Sequence, residues 1–245
     1  MVCILGVHFT DMTEDEVFGR CSEYMRGDRP RVVVTAGPEF VMSLRRRPDL
    51  RYLTEEADMT TPDGIGIVIA SRWYGRPLRE RVTGVELAGR LLACAADAGF
   101  RAYLLGAAPA SLEMALANLR SRYPRLQLEG SHGYFAPEEE ADIVAGIRAF
   151  APHLLLVGLG QPRQDIFIAR HRDELRVPLA LGVGGTIDVL AGTVRRAPAA
   201  FQRARLEWLY RLLREPRRLR RQLALPLFVL AAWRDAGSQR TAHTR

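Results

Sequence analysis

Short apolar runs alternate with segments of helical periodicity along most of this chain, and that alternation restricts its fold more than any other feature. Residues 31–35 form a largely β-branched run, typical of a strand buried on both faces of a parallel sheet. Further strands are predicted at residues 2–7, 57–60, 102–105, 126–129, 153–157 and 179–183. Strands that alternate with helices predict an α/β fold, with a mostly parallel, Rossmann-like sheet and helices on both faces.

Two of the predicted helices have a recognisable start. Thr13 and Glu16 have the spacing of a capping box ahead of a helix that runs to about residue 25. Thr83 is placed as the N-cap of a long amphipathic helix over residues 85–98.

The C-terminal part of the chain differs in composition from the rest. Residues 201–222 carry eight arginines against two glutamates, and an apolar run of eleven residues follows at 223–233. We therefore predict a catalytic α/β domain over residues 1–198 and an Arg-rich helical appendage over residues 199–245. The apolar run is too short to span a bilayer, which takes ~20 residues, but it could lie in the membrane interface. The alternative is a C-terminal helix that packs on the core and leaves its arginines in solvent.

The residue composition excludes several classes of protein. All 35 basic residues are arginine, so a Schiff-base enzyme and a standard P-loop ATPase, which both need lysine, are excluded. The three cysteines offer neither a disulfide framework nor a zinc-binding spacing, which fits a reducing cytoplasm. The first ten residues have neither a basic region nor a long apolar core, so no signal peptide is expected. A net charge of +7 favours an anionic partner.

Polar side chains follow several of the predicted strands. Because the carboxyl ends of parallel strands lie along one edge of a sheet, where open α/β folds bind ligands, these side chains are expected to converge. They are Thr35, Asp63, Gln164, Asp165 and Asp188.

Asp63 lies in a turn, Pro62-Asp63-Gly64, between a predicted strand and a predicted helix. Gly64 and Gly66 remove side chains beside it, so a substrate could approach closely. The alternative is that Asp63 serves only as the N-cap of the following helix.

Glycine-rich turns follow two of the later strands, at Gly158 and Gly160 and at Gly182, Gly184 and Gly185. Such turns suit the approach of a phosphate or a nucleoside to backbone N–H groups. Neither turn has the GxGxxG pattern, although an NAD-dependent oxidoreductase stays open as an alternative. The chain has no DxD pair to hold a divalent ion near a diphosphate, whereas arginine can bind phosphate oxygens bidentately. The combination favours group transfer from an activated phosphate ester.

Seven motifs in order resemble the WecG/TagA/CpsF family of bacterial glycosyltransferases over about residues 5–225. They are Pro62-Asp63-Gly64-Ile65-Gly66, Arg81-Val82-Thr83-Gly84, the run from Gly158 to Asp165, the run from Gly182 to Asp188, Arg196-Ala197-Pro198, the run from Leu206 to Leu212, and Glu215-Pro216-Arg217-Arg218.

This resemblance implies an inverting, metal-independent transferase without a cofactor. It would move a sugar (N-acetylmannosamine-type, uronic acid or hexose) from a UDP-sugar to a polyprenyl-diphosphate-linked acceptor sugar. The products of such enzymes include wall teichoic acid, enterobacterial common antigen and exopolysaccharide. The implied location is the cytoplasmic face of the cell membrane, on an anionic membrane surface.

The resemblance also implies roles for individual residues. Asp63 matches the general base, and Thr35, Arg81 and Gln164 match catalytic positions that line the pocket. The residues expected to bind substrate or nucleotide are Gly64, Gly66, Thr83, Tyr134, Gly158, Gly160, Gly184, Gly185, Asp188 and Arg196. Those expected to bind diphosphate or lipid are Arg211, Arg218 and Arg221. No metal-ligating residue is expected.

Two positions depart from the family pattern. Gly37 stands where the family usually has Asn, so the donor or the acceptor could differ, or the chain could be a catalytically impaired relative. Asp165 stands in place of the family's Glu.

A basic nucleic-acid-binding protein is a further alternative. No nucleic-acid partner is expected, because the basic charge lies in a terminal segment beside an apolar run and the sheet lacks alternating exposed aromatics. The oligomeric state is open, with a homo-oligomer among the options.

Overall fold

The computed structural model describes residues 1–194, 198, 201, 210 and 223–243. The main sheet of this part is built from β3 to β8, which are all parallel and lie in the order β4-β3-β8-β7-β5-β6. These strands are β3 (Arg31–Ala36), β4 (Met59–Pro62), β5 (Arg101–Gly106), β6 (Gln127–Ser131), β7 (Leu154–Gly158) and β8 (Leu179–Gly182). The predicted parallel α/β fold is confirmed.

The N-terminal segment forms a hairpin instead of the single strand predicted over residues 2–7. Strands β1 (Val2–Ile4) and β2 (Val7–Phe9) pair antiparallel with each other and lie outside the main sheet. Leu5 and Gly6 make the turn between them with φ of 52° and 84°. Consecutive left-handed residues reverse the chain tightly, so the apolar run is divided into two short strands.

Helices cover both faces of the sheet, as predicted. One face is covered by α2 (Pro38–Arg46), α7 (Glu140–Phe150) and α8 (Arg163–Leu175), together with the N-terminal hairpin. The other is covered by α1 (Glu14–Arg26), α5 (Gly84–Ala98), α6 (Pro109–Arg122) and α9 (Thr186–Ala191). The remaining short helices are α3 (Tyr52–Glu55), α4 (Ile65–Ser71) and 3₁₀ turns at Pro48–Leu50, Arg72–Tyr74 and Pro137–Glu139.

Both predicted helix starts are confirmed. Thr13 and Glu16 form a complete capping box at the start of α1. The Thr83 hydroxyl accepts a hydrogen bond from the backbone N–H of Glu86 and caps α5. Each cap is formed by residues within three positions of one another, which is why local sequence is enough to identify it.

Strand β4 lies two residues later than predicted, at Met59–Pro62 instead of residues 57–60. It is an edge strand that pairs only with β3, with Thr61 opposite Thr35 and Pro62 opposite Ala36. An edge position tolerates proline because one side of the strand needs no backbone donor. As a consequence Asp63 follows the last strand residue directly.

The C-terminal helix (Ala224–His243) packs on the α/β domain. Pro226 lies in its first turn, where proline is tolerated, and does not interrupt it. Phe228, Ala232 and Ala236, spaced four residues apart, are buried against the core around α2 and α4. The Tyr74 hydroxyl donates a 2.8 Å hydrogen bond to the Asp235 carboxylate of this helix.

The outward face of the same helix is apolar over its first half. Four large side chains there are about half exposed or more, namely Leu227, Val229, Leu230 and Trp233, and Leu223 just before the helix is also exposed. None of the helices within the described residues has the length and hydropathy of a membrane span.

Candidate active site

The carboxyl edge of the sheet contains a topological switch point. The chain leaves β5 toward β6 and leaves the adjacent strand β7 toward β8, in the opposite direction. Open α/β sheets bind ligands in the crevice at such a point. The loop that carries Tyr134 lies here, and the predicted catalytic side chains Thr35, Asp63 and Gln164 lie along the same edge, around the ends of β3, β4 and β8.

Asp63 contacts the start of α5. Its Oδ2 accepts a hydrogen bond from the backbone N–H of Gly84, the first residue of α5, at 3.3 Å. The positive end of a helix favours an anionic carboxylate. The alternative that Asp63 serves as the N-cap of the following helix is wrong, because α4 has Gly64 as its N-cap and no side-chain cap.

Thr35 joins the ends of β3 and β8 beside this carboxylate. Its hydroxyl is buried and donates a 2.9 Å hydrogen bond to the carbonyl oxygen of Gly182. It also packs against α5, since a Cβ on Gly84 would lie 3.4 Å from the Thr35 oxygen. Thr35 and Asp63 therefore meet at the start of the same helix.

Gln164 and Gln161 tie the start of α8 to neighbouring strand ends. Gln164 is 1% exposed, and its Oε1 accepts a 3.0 Å hydrogen bond from the Gly184 N–H. The Gln161 Nε2 donates to the carbonyl oxygen of Thr35 at 3.0 Å. The predicted convergence of Thr35, Asp63 and Gln164 is thus present, and Gln161 joins them as a residue that strand-end reasoning did not single out.

Asp165 is the most unusual ionisable group on this edge. It is 3% exposed, and neither carboxylate oxygen has a hydrogen-bond partner among the described residues. Burial raises the pKa of this carboxyl to about 7, against a smaller lowering by the nearby Gln161 and Gln164 amides.

Three glycines allow the turns after β3 and β4 to touch. A Cβ on Gly37 would lie only 2.8 Å from the carbonyl oxygen of Asp63. Cβ atoms on Gly64 and Gly66 would lie 3.1 and 3.2 Å from the Pro38 ring. The atoms that approach Gly64 and Gly66 here belong to Pro38. Contact between these two glycines and a substrate stays a prediction.

The glycines of the later turns have different structural reasons. Gly160 and Gly184 have φ of 78° and 53°, in the left-handed region that favours glycine. Gly158 is needed for close packing, since a Cβ there would lie 2.7 Å from the Gly184 carbonyl oxygen. Gly185, at the start of α9, is exposed, and a Cβ there would lie 3.9 Å from Oδ2 of Asp188.

Tyr134 is 75% exposed at the rim of the crevice. Its loop is anchored on both sides: the Gly133 N–H donates to the Ala107 carbonyl at 2.9 Å, and Arg163 donates to the Gly133 carbonyl at 3.2 Å. The Arg163 guanidinium also lies 4.9 Å above the Phe135 ring centroid. Arg163 was not among the site residues predicted from the sequence. Its position between Gln161 and Gln164, in the motif from Gly158 to Asp165, was the sequence feature that pointed to it.

Arg81 lies half-buried in the segment that leads into α5. The next residue, Val82, donates its N–H to the Pro62 carbonyl at 3.1 Å and so holds this segment beside Asp63. The predicted positions Arg196, Arg211, Arg218 and Arg221 lie outside the described residues. In the part of the chain that is described, no group of three or more His, Cys, Asp or Glu side chains is arranged to hold a metal ion.

Comparison with known proteins gives consistent matches over nearly the whole chain. The model of the Glycosyl transferase WecG/TagA/CpsF family matches residues 2–242. An N-acetylglucosaminyldiphosphoundecaprenol N-acetyl-beta-D-mannosaminyltransferase of Bacillus spizizenii is 34% identical over 221 residues, or 90% of this chain and 85% of the relative. A protein of the same name from Staphylococcus aureus (strain MW2) is 33% identical over 230 residues, or 93% of this chain and 90% of the relative.

Proposed function

The chain belongs to the WecG/TagA/CpsF family of glycosyl transferases, and we propose that it transfers an N-acetylmannosamine-type sugar from a UDP-sugar to N-acetylglucosamine on a polyprenyl diphosphate. The names of its two relatives support this acceptor and this class of sugar. A uronic acid or a hexose is the alternative donor sugar. The product would be an intermediate of a cell-wall or other cell-surface polymer.

The observation that carries this proposal is the position of Asp63. Its carboxylate lies at the carboxyl edge of the sheet, on the first N–H of α5 and beside Thr35. A carboxylate in this position can accept a proton, which a general base must do. In a single in-line displacement, Asp63 removes the proton from the acceptor hydroxyl as that oxygen attacks the anomeric carbon, and the configuration inverts.

The leaving UDP requires stabilisation as its negative charge develops. Backbone N–H groups of the glycine turn at Gly158 and Gly160 and the arginines of the appendage, including Arg211, Arg218 and Arg221, are proposed to provide it. Arg196 and the exposed ring of Tyr134 are proposed to contact the nucleotide. With arginine in this role, the reaction would proceed without a divalent metal ion.

The tail is proposed to attach the enzyme to the inner face of the membrane. The exposed apolar face of the C-terminal helix supports this, together with the Arg-rich segment before it. Arginines near an anionic leaflet contribute about 1 kcal/mol each. Phe228 is buried against the α/β domain, so it does not take part in attachment.

Release of UDP is the direct test of the function. The protein is incubated with a panel of UDP-sugars and EDTA, with and without N-acetylglucosamine linked to a polyprenyl diphosphate. We expect release from one donor that depends on the acceptor and persists in EDTA. Release that requires an added divalent ion would refute metal independence, and failure to bind UDP would refute the nucleotide-sugar donor.

Substitution of Asp63 tests the proposed base. Asp63→Asn is expected to lower kcat by roughly 10²–10⁴-fold, the usual contribution of general base catalysis. The matched control is Asp97→Asn, at an exposed position at the far end of α5, which should leave kcat unchanged. Near wild-type turnover in a folded Asp63→Asn protein would remove Asp63 from this role.

Membrane attachment has its own matched pair of variants. Replacing Leu227, Leu230 and Trp233 by Ser is expected to weaken binding to vesicles that contain anionic lipid, because exposed apolar area would be lost. Met114→Ser on α6 removes a comparably exposed apolar side chain from the opposite face of the domain. Equal loss of binding in both proteins would argue against docking through the C-terminal helix.

A further inference from the structure

The loop that follows β6 presents one large aromatic ring to solvent. Exposure alternates along this loop: Gly133 and Phe135 are buried, whereas Tyr134 between them is 75% exposed. The ring lies at the switch point of the sheet, where open α/β folds bind ligands. Because both neighbours of Tyr134 are buried, its exposure belongs to a loop that is held in place rather than to one that extends freely into solvent.

Gly133 is packed between the ends of two strands. Its N–H donates to the Ala107 carbonyl at 2.9 Å. A Cβ on Gly133 would lie 2.8 Å from Leu159 Cδ2 and 3.1 Å from the Gly106 Cα, so the ends of β5 and β7 leave no room for a side chain. Ala107 is left-handed, with a φ of 62°. A non-glycine residue keeps this strained conformation only where its surroundings fix the backbone, and such strain is concentrated at binding sites and active sites.

Arg163, the first residue of α8, contacts the residues on both sides of Tyr134. Its Nη1 donates to the Gly133 carbonyl oxygen at 3.2 Å, and the guanidinium carbon lies 4.9 Å from the centroid of the Phe135 ring. Phe135 in turn packs edge-to-face against Phe167 of the same helix, with ring centroids 6.5 Å apart. A planar, delocalised cation can donate hydrogen bonds and also interact with an aromatic ring. One side chain therefore ties both neighbours of Tyr134 to the start of α8.

We propose that Arg163 is a positioning residue for nucleotide binding, which holds the Tyr134 ring where it stacks on the base of a nucleoside diphosphate. This inference deepens the proposed function and rests on it for the identity of the ligand. The base is the flat aromatic part of such a ligand, and stacking on an aromatic side chain is a main source of affinity for a base. A ring that is already fixed loses little conformational freedom on binding, which raises the affinity. Arg163 acts through the loop and does not itself touch the base or the phosphates.

A double-substitution cycle tests whether Arg163 acts through Tyr134. The Kd of UDP is measured by NMR titration of full-length wild type, Tyr134→Ala, Arg163→Ala and the double variant. Tyr134→Ala is expected to raise the Kd by roughly 5–150-fold, the usual loss for one contact between a base and an aromatic ring. Arg163→Ala should raise it by about 2–10-fold when Tyr134 is present, and by less than about twofold when Tyr134 is absent. Equal effects in both backgrounds would mean that Arg163 contacts the nucleotide directly, and would overturn the proposal.

Arg122→Ala is the matched control. Arg122 is an exposed arginine that also lies over an aromatic ring, 5.3 Å from the Tyr123 centroid, but at the C-terminal end of α6. Its loss removes the same charge and should leave the Kd of UDP unchanged. An equal loss of affinity in Arg122→Ala would assign the effect to net charge and refute the positioning role. Arg163→Lys retains a cation and a donor without the planar group, and its Kd should lie between those of wild type and Arg163→Ala.

Hydrogen exchange in the free protein tests the loop without any ligand. Loss of the Arg163 side chain should speed exchange of the Gly133 N–H, because the hydrogen bond to the Ala107 carbonyl depends on the position of the loop. Tyr134→Ala and Arg122→Ala should exchange this N–H as slowly as wild type. A wild-type rate in Arg163→Ala would overturn the proposal.

Binding and turnover together separate this inference from the proposed function. With a UDP-sugar and acceptor, Arg163→Ala should raise the KM for the donor and leave kcat within about twofold, because the lost interaction is equal in the ground state and the transition state. An unchanged KM and Kd in a protein that binds UDP would refute this inference alone. Failure of wild type to bind UDP would refute the proposed donor and the nucleotide part of this inference, whereas faster Gly133 exchange in Arg163→Ala would still show that Arg163 orders the loop.

Discussion

Asp165→Asn tests the buried acid through the stability of the fold. The substitution keeps the size and shape of the side chain and removes its titration. Between about pH 4 and about pH 7 the folded protein holds a proton on Asp165 that the unfolded chain has released, because the folded pKa is raised from 3.8 to about 7. Stability therefore falls as the pH rises through this window, and the penalty is complete above it.

The size of the effect follows from that difference in pKa. Roughly three units correspond to about 4 kcal/mol at 1.36 kcal/mol per unit, a large part of the 5–15 kcal/mol that is typical of a folded domain. We therefore compare the free energy of unfolding of Asp165→Asn with that of wild type at each pH. The difference in favour of the variant is expected to be larger above pH 7 than near pH 4, by up to about 4 kcal/mol.

Urea unfolding at pH 5 and pH 8, followed by circular dichroism, measures the change. The stability gap between Asp165→Asn and wild type should widen at the higher pH. Thr61→Val is the control, because removal of its buried hydroxyl changes no titration and should shift stability equally at both values of pH. A gap that does not depend on pH would mean that the carboxyl is not neutral in the folded protein.

Three further substitutions test contacts around the site. Gly37→Ala places a Cβ 2.8 Å from the Asp63 carbonyl oxygen and should lower kcat/KM by about tenfold or more, whereas Gly89→Ala, at an open position of α5, should leave kinetics unchanged. Gly106→Ala combines a φ of 138° with a Cβ 2.5 Å from the neighbouring carbonyl of β7. It should lower the free energy of unfolding by roughly 2–4 kcal/mol in urea titrations, and unchanged stability would refute the close packing of these strand ends. Tyr74→Phe removes the hydrogen bond to the C-terminal helix. It should cost roughly 1–2 kcal/mol and speed amide hydrogen exchange in Ala224–His243, and exchange like that of wild type would mean that this contact does not hold the helix.

Local patterns were sufficient wherever a structure depends on neighbouring residues. The capping box of Thr13 and Glu16 and the Thr83 cap are formed within three positions of the chain, and both were predicted. The polar strand ends were also predicted to converge, because in a parallel sheet every strand ends at the same edge. That rule placed Thr35, Asp63 and Gln164 together without knowledge of the strand order.

Other features depend on contacts between distant parts of the chain. The edge position of β4 permits Pro62 inside a strand, so this strand lies two residues later than predicted. The C-terminal helix could be predicted to be apolar, but only its packing through Phe228 separates the buried face from the exposed one. Likewise Gly37, noted in the sequence as a missing Asn, is a position where the Asp63 carbonyl leaves no room for a side chain.

The sequence by itself therefore determined the parallel α/β fold, the edge where the site lies, the family resemblance and the identity of the candidate base. The tertiary structure alone decided what surrounds each of these residues. Hydrophobic periodicity and helix caps are local and can be read along the chain, whereas burial and hydrogen-bond partners arise from residues that the fold brings together. Asp165 shows the difference, because only the packing of α8 against the end of β8 turns an ordinary aspartate into a buried acid with a raised pKa.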